Sequence, residues 1–233
     1  DDLGGRGTID HGTVGGRGQS GVTSQRLEPG HPIGSFYGPV FVRVNDNGEE
    51  VYRTADGGTT TDPGVAADTH LGNPIPDVAY SLNLDFRYRN FDLSAFFRGE
   101  QGRELFNNTG LVYTSKSRLA QGINMLEPAL DDGTTTNHTA TYSSRWVQDA
   151  SFFRLDKLSV GYNLASVLGS ALSNLRQARL FASADNLFVI TPYSGYDPEL
   201  NTNTSGEGLG FRNLATPARG IDWTSYPRPR TFT

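Results

Sequence analysis

The chain has 233 residues, a formal net charge of −5, 28 glycines and no cysteine. The acidic balance argues against a general nucleic-acid binder, and the absence of cysteine excludes disulfides and thiolate metal sites. No apolar run reaches the length of about eighteen residues that a membrane-spanning helix needs. Abundant glycine and few helical patterns indicate a mostly β protein.

The first 29 residues are rich in glycine and poor in apolar side chains. Gly16, Gly18 and Gly21 have the G-x-G-x-x-G spacing of dinucleotide sites, but no strand pattern precedes them and no helix pattern follows, which favours a loop. We therefore predict a glycine-rich loop over 1–29 and the folded part over 30–233. Within 30–233, apolar residues at 40–42 and 51–52 flank a turn at 45–48, which predicts a hairpin, and 54–70 is a predicted connecting loop.

The clearest pattern lies between Gly72 and Gly102. Apolar residues take every second position from Tyr80 to Tyr88, which is typical of a strand with one apolar and one polar face. The alternation changes phase after Asn90, and a two-residue turn at Arg89-Asn90, with φ > 0 at Asn90, explains the change. This turn predicts the pairs Tyr88–Phe91, Phe86–Leu93, Leu84–Ala95, Leu82–Phe97, Arg87–Asp92 and Asp85–Ser94.

Two classes of protein contain such a hairpin. In a soluble β-sandwich the apolar face is buried in the core, whereas in a transmembrane barrel it meets lipid and the polar face lines a watery lumen. The strands approach the 9–11 residues that cross a membrane, while soluble strands usually have about 5–6 residues. The alternation by itself fits both classes.

The remainder of the chain contains two further long strand patterns, at 151–164 and 178–190. In the first, the apolar phase slips at Asp156-Lys157, which predicts a β-bulge. Helical spacing predicts a short helix near Ser117–Leu126 and another within 165–177. The loops 103–150 and 191–228 are long, while other connections are short, as in outer-membrane barrels. Asp131-Asp132, in a polar tract, fits either a cation site or a solvated turn.

Five blocks of sequence occur in a recognisable order. They are GHPIGSFYG (30–38), GNPIPDVAYSLNLDFRYRNFDLSAFFRGEQG (72–102), SRWVQDASFFRLDKLSVGYNL (144–164), RLFASADNLFVITPYSGYDPE (179–199) and GIDWTSYPRPRTF (220–232). Together they resemble the C-terminal region of SusC/RagA-type TonB-linked outer-membrane transporters.

The resemblance implies an all-β fold: an antiparallel transmembrane β-barrel segment, part of a 22-stranded barrel with long extracellular loops and short periplasmic turns. It also implies residence in the outer membrane of a Gram-negative bacterium. The implied partners are outer-membrane lipid, a SusD-like surface lipoprotein, TonB, and a glycan or peptide ligand. The plug, the TonB-contacting segment and the first barrel strands have no counterpart here, and the last strand stops at Thr233. We therefore expect these residues to be a portion of a larger chain.

The sequence contains no recognisable catalytic set and no cofactor motif. The histidines, at positions 11, 31, 70 and 138, lack metal-ligand spacing, so we predict neither catalysis nor a metal site. Sugars are commonly held by aromatic faces with polar edges. The loop aromatics Tyr193, Tyr196, Trp223 and Tyr226 are the candidate substrate-binding residues, although such residues also form interfacial girdles or pack loops together. The alternative function is that of a soluble extracellular β-sandwich that binds carbohydrate.

Overall fold

The computed structural model describes residues 7–16, 19, 21–136, 138, 141–164, 178–200 and 218–233. The chain divides into two compact units. Unit 1 comprises 1–75, 103–150 and 193–226, and unit 2 comprises 76–102, 151–192 and 227–233. Among the described residues, no helix has the length and apolar character needed to cross a membrane. The helix predicted within 165–177 lies outside the described residues.

Unit 2 is an antiparallel sheet of long strands. Its strands in the described residues are β8 (Val78–Tyr88), β9 (Phe91–Gln101), β12 (Phe152–Asn163), β13 (Arg179–Ile190) and β15 (Thr231–Phe232), in the order β15-β13-β12-β9-β8. All six predicted cross-strand pairs of the β8–β9 hairpin are confirmed. The predicted bulge is also confirmed, since the register of β12 against both neighbours shifts between Leu155 and Lys157. The turn prediction was wrong in one detail, because the positive φ of 53° belongs to Arg89 and not to Asn90.

The register sorts the side chains of unit 2 into two different faces. Apolar residues align across four strands on one face, in the rows Leu82–Phe97–Leu155–Phe188, Leu84–Ala95–Leu158–Ala184 and Phe86–Leu93–Val160–Ala182. Charged residues of different strands pair on the other face, in the couples Arg98–Asp156 (β9 with β12), Lys157–Asp185 (β12 with β13) and Arg179–Asp92, which spans β12 from β13 to β9. Alternation in single strands therefore becomes a two-faced sheet once the register is set.

Unit 1 consists of shorter strands and several helical turns. Its described strands are β1 (Ile9–Thr13), β2 (Thr23–Leu27), β3 (Phe36–Pro39), β4 (Phe41–Val44), β5 (Glu50–Arg53), β6 (Thr59–Thr60), β7 (Asp68–Gly72), β10 (Glu104–Asn107), β11 (Val147–Asp149) and β14 (Ile221–Asp222). They form sheets of order β1-β2-β3-β7, β4-β5-β6 and β11-β10-β14, in which only the β10–β14 pair is parallel among the described strands. The core of unit 1 is formed by Val14, Phe36, Phe106, Leu111, Val112, Tyr142, Trp146, Ala218 and Ile221.

Several sequence predictions for unit 1 need correction. The hairpin around 45–48 is present as β4 and β5, but the predicted connecting loop 54–70 contains β6 and the start of β7. The glycine-rich segment 1–29 contains the paired strands β1 and β2, which its composition did not indicate. The boundary between 1–29 and 30–233 stays a prediction.

The helix predicted near Ser117–Leu126 is displaced toward the N-terminus. The α-helix α1 spans Asn108–Thr114, and a 3₁₀ helix, Lys116–Gln121, follows it and ends at Gly122 with φ 68°. Two shorter 3₁₀ helices span Glu127–Leu130 and Ser144–Trp146. Almost all of α1 is buried, so it lacks the polar face that produces a helical periodicity in sequence.

Candidate functional site

A cavity of about 340 Å³ lies within unit 1, at the lower end of the volumes typical of small-molecule sites. Its walls come from five separate stretches of the chain, near 107–114, 126–132, 145–148, 194–196 and 222. The lining residues are Asn107, Thr109, Gly110, Thr114, Leu126, Pro128, Asp132, Arg145, Trp146, Gln148, Ser194, Gly195, Tyr196 and Asp222. The mixture of amide, hydroxyl, charged and aromatic groups is suited to a polar ligand with an apolar face.

The start of α1 positions one wall of the cavity. Asn107 is the N-cap residue, and its side-chain oxygen accepts a 2.6 Å hydrogen bond from the backbone N–H of Gly110. The cap thereby satisfies one of the free N–H groups of the first turn. The Asn107 amide nitrogen lies 3.3 Å from Ser194 Oγ, and Ser194 Oγ donates to Gln148 Oε1 at 2.7 Å. These contacts fix the polar groups that face the cavity.

Asp222 is the most enclosed charged residue of the cavity wall, with no exposed surface. Its carboxylate accepts hydrogen bonds from Tyr193 Oη at 2.8 Å and from Thr109 Oγ1 at 3.1 Å. Burial raises the pKa of Asp222 above the usual range of an aspartate, and nearby Asp197 raises it further, against the opposing effect of the two hydrogen bonds. The Asp222 carboxyl group is therefore held in place by its hydrogen bonds to Tyr193 and Thr109.

Asp132 and Arg145 of the cavity lining belong to a cluster of ion pairs. The Arg145 guanidinium donates to the buried Glu50 carboxylate at 2.7 Å and lies 3.6 Å from Asp132, which also binds Lys116 Nζ at 2.9 Å. Burial would raise the pKa of Glu50, but hydrogen bonds from His138, Tyr52 and Arg145 outweigh it and lower the pKa. Neither interpretation of Asp131-Asp132 holds for Asp132, because its largely buried carboxylate pairs with lysine and arginine side chains and not with solvent or a metal ion.

The four predicted substrate-binding aromatics have different environments. Tyr193 is 5% exposed and packs with Leu105 and Ala150. Trp223 packs against the core of unit 1, and Tyr226 is 93% exposed. Tyr196 lines the cavity and is 59% exposed. A ligand-binding role for any of the four stays a prediction, and Tyr196 has the most suitable position.

Sequence reasoning missed the polar groups around Tyr196. Asn107 and Asp222 lie more than a hundred positions apart, and the parallel pairing of β10 with β14 places them side by side. One local signal was available, since asparagine is a preferred N-cap residue and Asn107 occupies that position before α1. No comparable signal identifies Asp222, because its burial depends on tertiary packing.

Comparisons with known proteins identify relatives over most of the chain. No family model matches. The TonB-dependent receptor P3 of Formosa agariphila is 35% identical and aligns with 90% of this chain, which covers 22% of that protein. The TonB-dependent receptor SusC of Bacteroides thetaiotaomicron is 26% identical, with coverages of 89% and 19%. This chain thus spans about a fifth of the length of the curated relatives it matches.

The fold comparison agrees with the sequence comparison. The structure of the RagAB peptide importer in its open-open state superposes with a TM-score of 0.74 at 20% identity, covering 100% of this chain and 24% of that chain. The closed-closed state gives a TM-score of 0.69 at 21% identity, covering 90% of this chain and 23% of that chain.

The two-faced antiparallel sheet and the matching structures define the fold as part of a TonB-dependent transporter barrel. The sequence relationship narrows this class to a family. The chain is homologous to part of the TonB-dependent receptors that include P3 and SusC.

Proposed function

We propose that the whole protein containing this chain is a transporter in the outer membrane of a Gram-negative bacterium. It imports nutrients with energy delivered through TonB. The observation that carries the proposal is the apolar face of unit 2. It is continuous across four strands, and its large side chains on β8 are exposed, whereas Ala95, Leu155 and Ala184 are buried. Leu82 is 53% exposed and Leu84 is 45% exposed. A large exposed apolar surface marks a contact with membrane or protein.

The opposite face of the sheet supports the same proposal. Its charges are paired across strands: Arg98 Nε lies 2.6 Å from Asp156 Oδ2, and Arg179 pairs with Asp92. A transmembrane barrel alternates lipid-facing apolar residues with polar residues that face a watery lumen. In this arrangement the apolar rows contact outer-membrane lipid and the ion pairs face water.

The alternative function, a soluble β-sandwich that binds carbohydrate, is less well supported. A sandwich buries one face of each sheet against the other sheet. The exposed leucines of β8 do not satisfy this requirement in unit 2. The curated relatives are named as receptors, and the superposed structures as importers, which also favours transport over catalysis.

The proposed cargo is an oligosaccharide or a peptide. The polar cavity of unit 1, with the exposed ring of Tyr196 at its wall, is the proposed contact region. The ring supplies a flat apolar surface, and Asn107, Ser194 and Gln148 supply hydrogen-bonding groups beside it. The proposed partners are a SusD-like surface lipoprotein and TonB, which is contacted through a segment outside this chain. Nucleic acid is not a proposed ligand, in keeping with the net negative charge.

Uptake by cells that express the intact protein tests the proposal. We expect import of labelled oligosaccharides or oligopeptides to require both the protein and TonB. Tyr196→Ala should weaken binding of the imported class by about 2- to 10-fold, the equivalent of an aromatic contact worth about 0.5–1.5 kcal/mol. Tyr226→Ala removes another exposed aromatic that does not line the cavity, and it is the matched control.

Two outcomes distinguish the parts of the proposal. Uptake that persists without TonB would contradict the transport mechanism. Unchanged affinity in Tyr196→Ala, with normal TonB-dependent uptake, would contradict only the position of the ligand contact.

A further inference from the structure

Three side chains that commonly bind transition metals meet in unit 1, although one of them, His70, is about 40 positions from the other two in the sequence. Glu28, His31 and His70 each place a potential ligand atom within 4.8 Å of the other two. Glu28 Oε2 lies 3.1 Å from His70 Nε2. The ring of His31 stacks on that of His70 with centroids 3.5 Å apart, so the His31 side chain must rotate for nitrogens of both rings to point at one ion. We propose that these residues form a binding site for a divalent transition metal of the zinc type.

The local sequence positions two of the three ligands. The His31 backbone N–H donates to the Glu28 carbonyl oxygen at 3.2 Å, and Gly30 has φ 88°. Proline at the second position and a positive-φ glycine at the third are the signature of a type II turn. This turn directly follows β2 and brings the first and fourth side chains together. Glu28 and His31 are thus arranged by backbone geometry that does not depend on a metal.

The third ligand is held by a sheet. His70 lies on β7, where it pairs with Tyr37 of β3. The Tyr37 ring contacts the His70 ring edge to face at 5.3 Å, and the Arg26 guanidinium lies over Tyr37 at 3.6 Å from its centroid. Arg26 is itself fixed by a 2.7 Å ion pair with Asp10. Rigid elements around a ligand reduce the cost of organising a metal site.

The donor set selects the class of metal. Two imidazoles and one carboxylate suit zinc, copper and nickel, whereas calcium and magnesium prefer oxygen ligands alone. Zinc–ligand bonds of about 2.0–2.1 Å in a tetrahedral site separate neighbouring ligand atoms by about 3.3 Å. The 3.1 Å between Glu28 Oε2 and His70 Nε2 is close to this separation. Three protein ligands leave the fourth position to water.

Sequence reasoning predicted no metal site, since the histidines lack the spacing of known motifs. The turn after β2 and the β3–β7 pairing bring two of them together. His138 lies elsewhere in unit 1, where it contacts Glu50 at 3.5 Å, and is a suitable control histidine.

Calorimetric titration of the intact protein, stripped of metal with a chelator and kept in detergent, tests the proposal. The probe is ZnCl₂ alone at pH 7.5, with CaCl₂ as the comparison. We expect one zinc site that His31→Ala and His70→Ala each weaken by more than about 100-fold, since even groups that only support a metal ligand contribute about 10- to 100-fold. Glu28→Gln should weaken it by at least about 10-fold.

The controls are His138→Ala and Glu49→Gln, which remove a histidine and an exposed carboxylate outside the cluster. His31 is exposed, so His31→Ala tests the site even if His70→Ala fails to fold. Anomalous scattering at the zinc edge should place the ion between the three side chains. A zinc titration of His31→Ala identical to that of the unmodified protein, or calcium bound as tightly as zinc, would overturn the proposal.

Discussion

Replacing Leu84 by arginine tests whether the apolar face of unit 2 meets lipid. Leu84 is the seventh of the eleven residues of β8 and lies opposite Ala95 on β9. Its row continues through Leu158 to Ala184, so no charged residue of these strands lies directly beside it on this face. An arginine introduced here would have no partner in its own row.

The size of the effect follows from the depth of the residue. Eleven residues, each rising about 3.4 Å along a strand tilted by about 40°, span about 28 Å, slightly more than the apolar band of about 25 Å. Leu84 is one residue from the strand centre and therefore lies about 3 Å from the middle of this band. A lipid-facing arginine at that depth costs about 2–4 kcal/mol.

The neighbouring position provides a control at almost the same depth. Asn83 points to the polar face and pairs with Phe96, and we expect Asn83→Arg to change stability by less than about 1 kcal/mol because that face meets water. The assay is denaturant unfolding of the intact protein in lipid vesicles, followed by tryptophan fluorescence. Equal losses of unfolding free energy at the two positions, or a larger loss for Asn83→Arg, would refute the assignment of the faces.

Two further predictions concern unit 1. Tyr193→Phe should lower the free energy of unfolding by about 1–3 kcal/mol, because the buried Asp222 carboxyl loses a hydrogen bond. The control Tyr226→Phe, at an exposed position, should change it by less than about 0.5 kcal/mol. Equal losses of unfolding free energy in thermal or denaturant melts would contradict a stabilising role of the Tyr193–Asp222 hydrogen bond. Glu50→Gln should cost about 3 kcal/mol at neutral pH by leaving Arg145 without its nearest carboxylate. The folded pKa of Glu50 is lowered, so this stabilisation exists above the ordinary glutamate pKa of about 4.3 and is lost as the pH falls through the lower folded value. The melting temperatures of Glu50→Gln and the unmodified protein should therefore converge in acid. A difference in melting temperature that is constant with pH would contradict the prediction.

The strands of unit 2 could be predicted from the sequence because each carries its own evidence. The alternation from Tyr80 to Tyr88, its change of phase at Arg89-Asn90 and the slip at Asp156-Lys157 are local patterns, and local patterns determine which side chains share a face. The conformation of the turn was less predictable. The positive φ falls on Arg89, since the twist of both strands influences the turn as well as its own residues.

The candidate site was much less accessible to sequence reasoning. Tyr196 was identified as an exposed loop aromatic, but its neighbours Asn107 and Asp222 become wall residues only through the parallel β10–β14 pair. The same limit applied to Glu28, His31 and His70. The turn that joins Glu28 to His31 can be predicted from the sequence, whereas the position of His70 beside them cannot.

The sequence by itself thus determined the strand faces, the register of the central hairpin, the bulge and the family resemblance, because these depend on residues that are near neighbours along the chain. Only the tertiary structure decided which aromatic ring lines the cavity, which carboxylates are buried and which histidines meet. Those properties arise when distant segments of the chain pair with each other. When a long loop separates two such segments, no periodic pattern in either one identifies its partner.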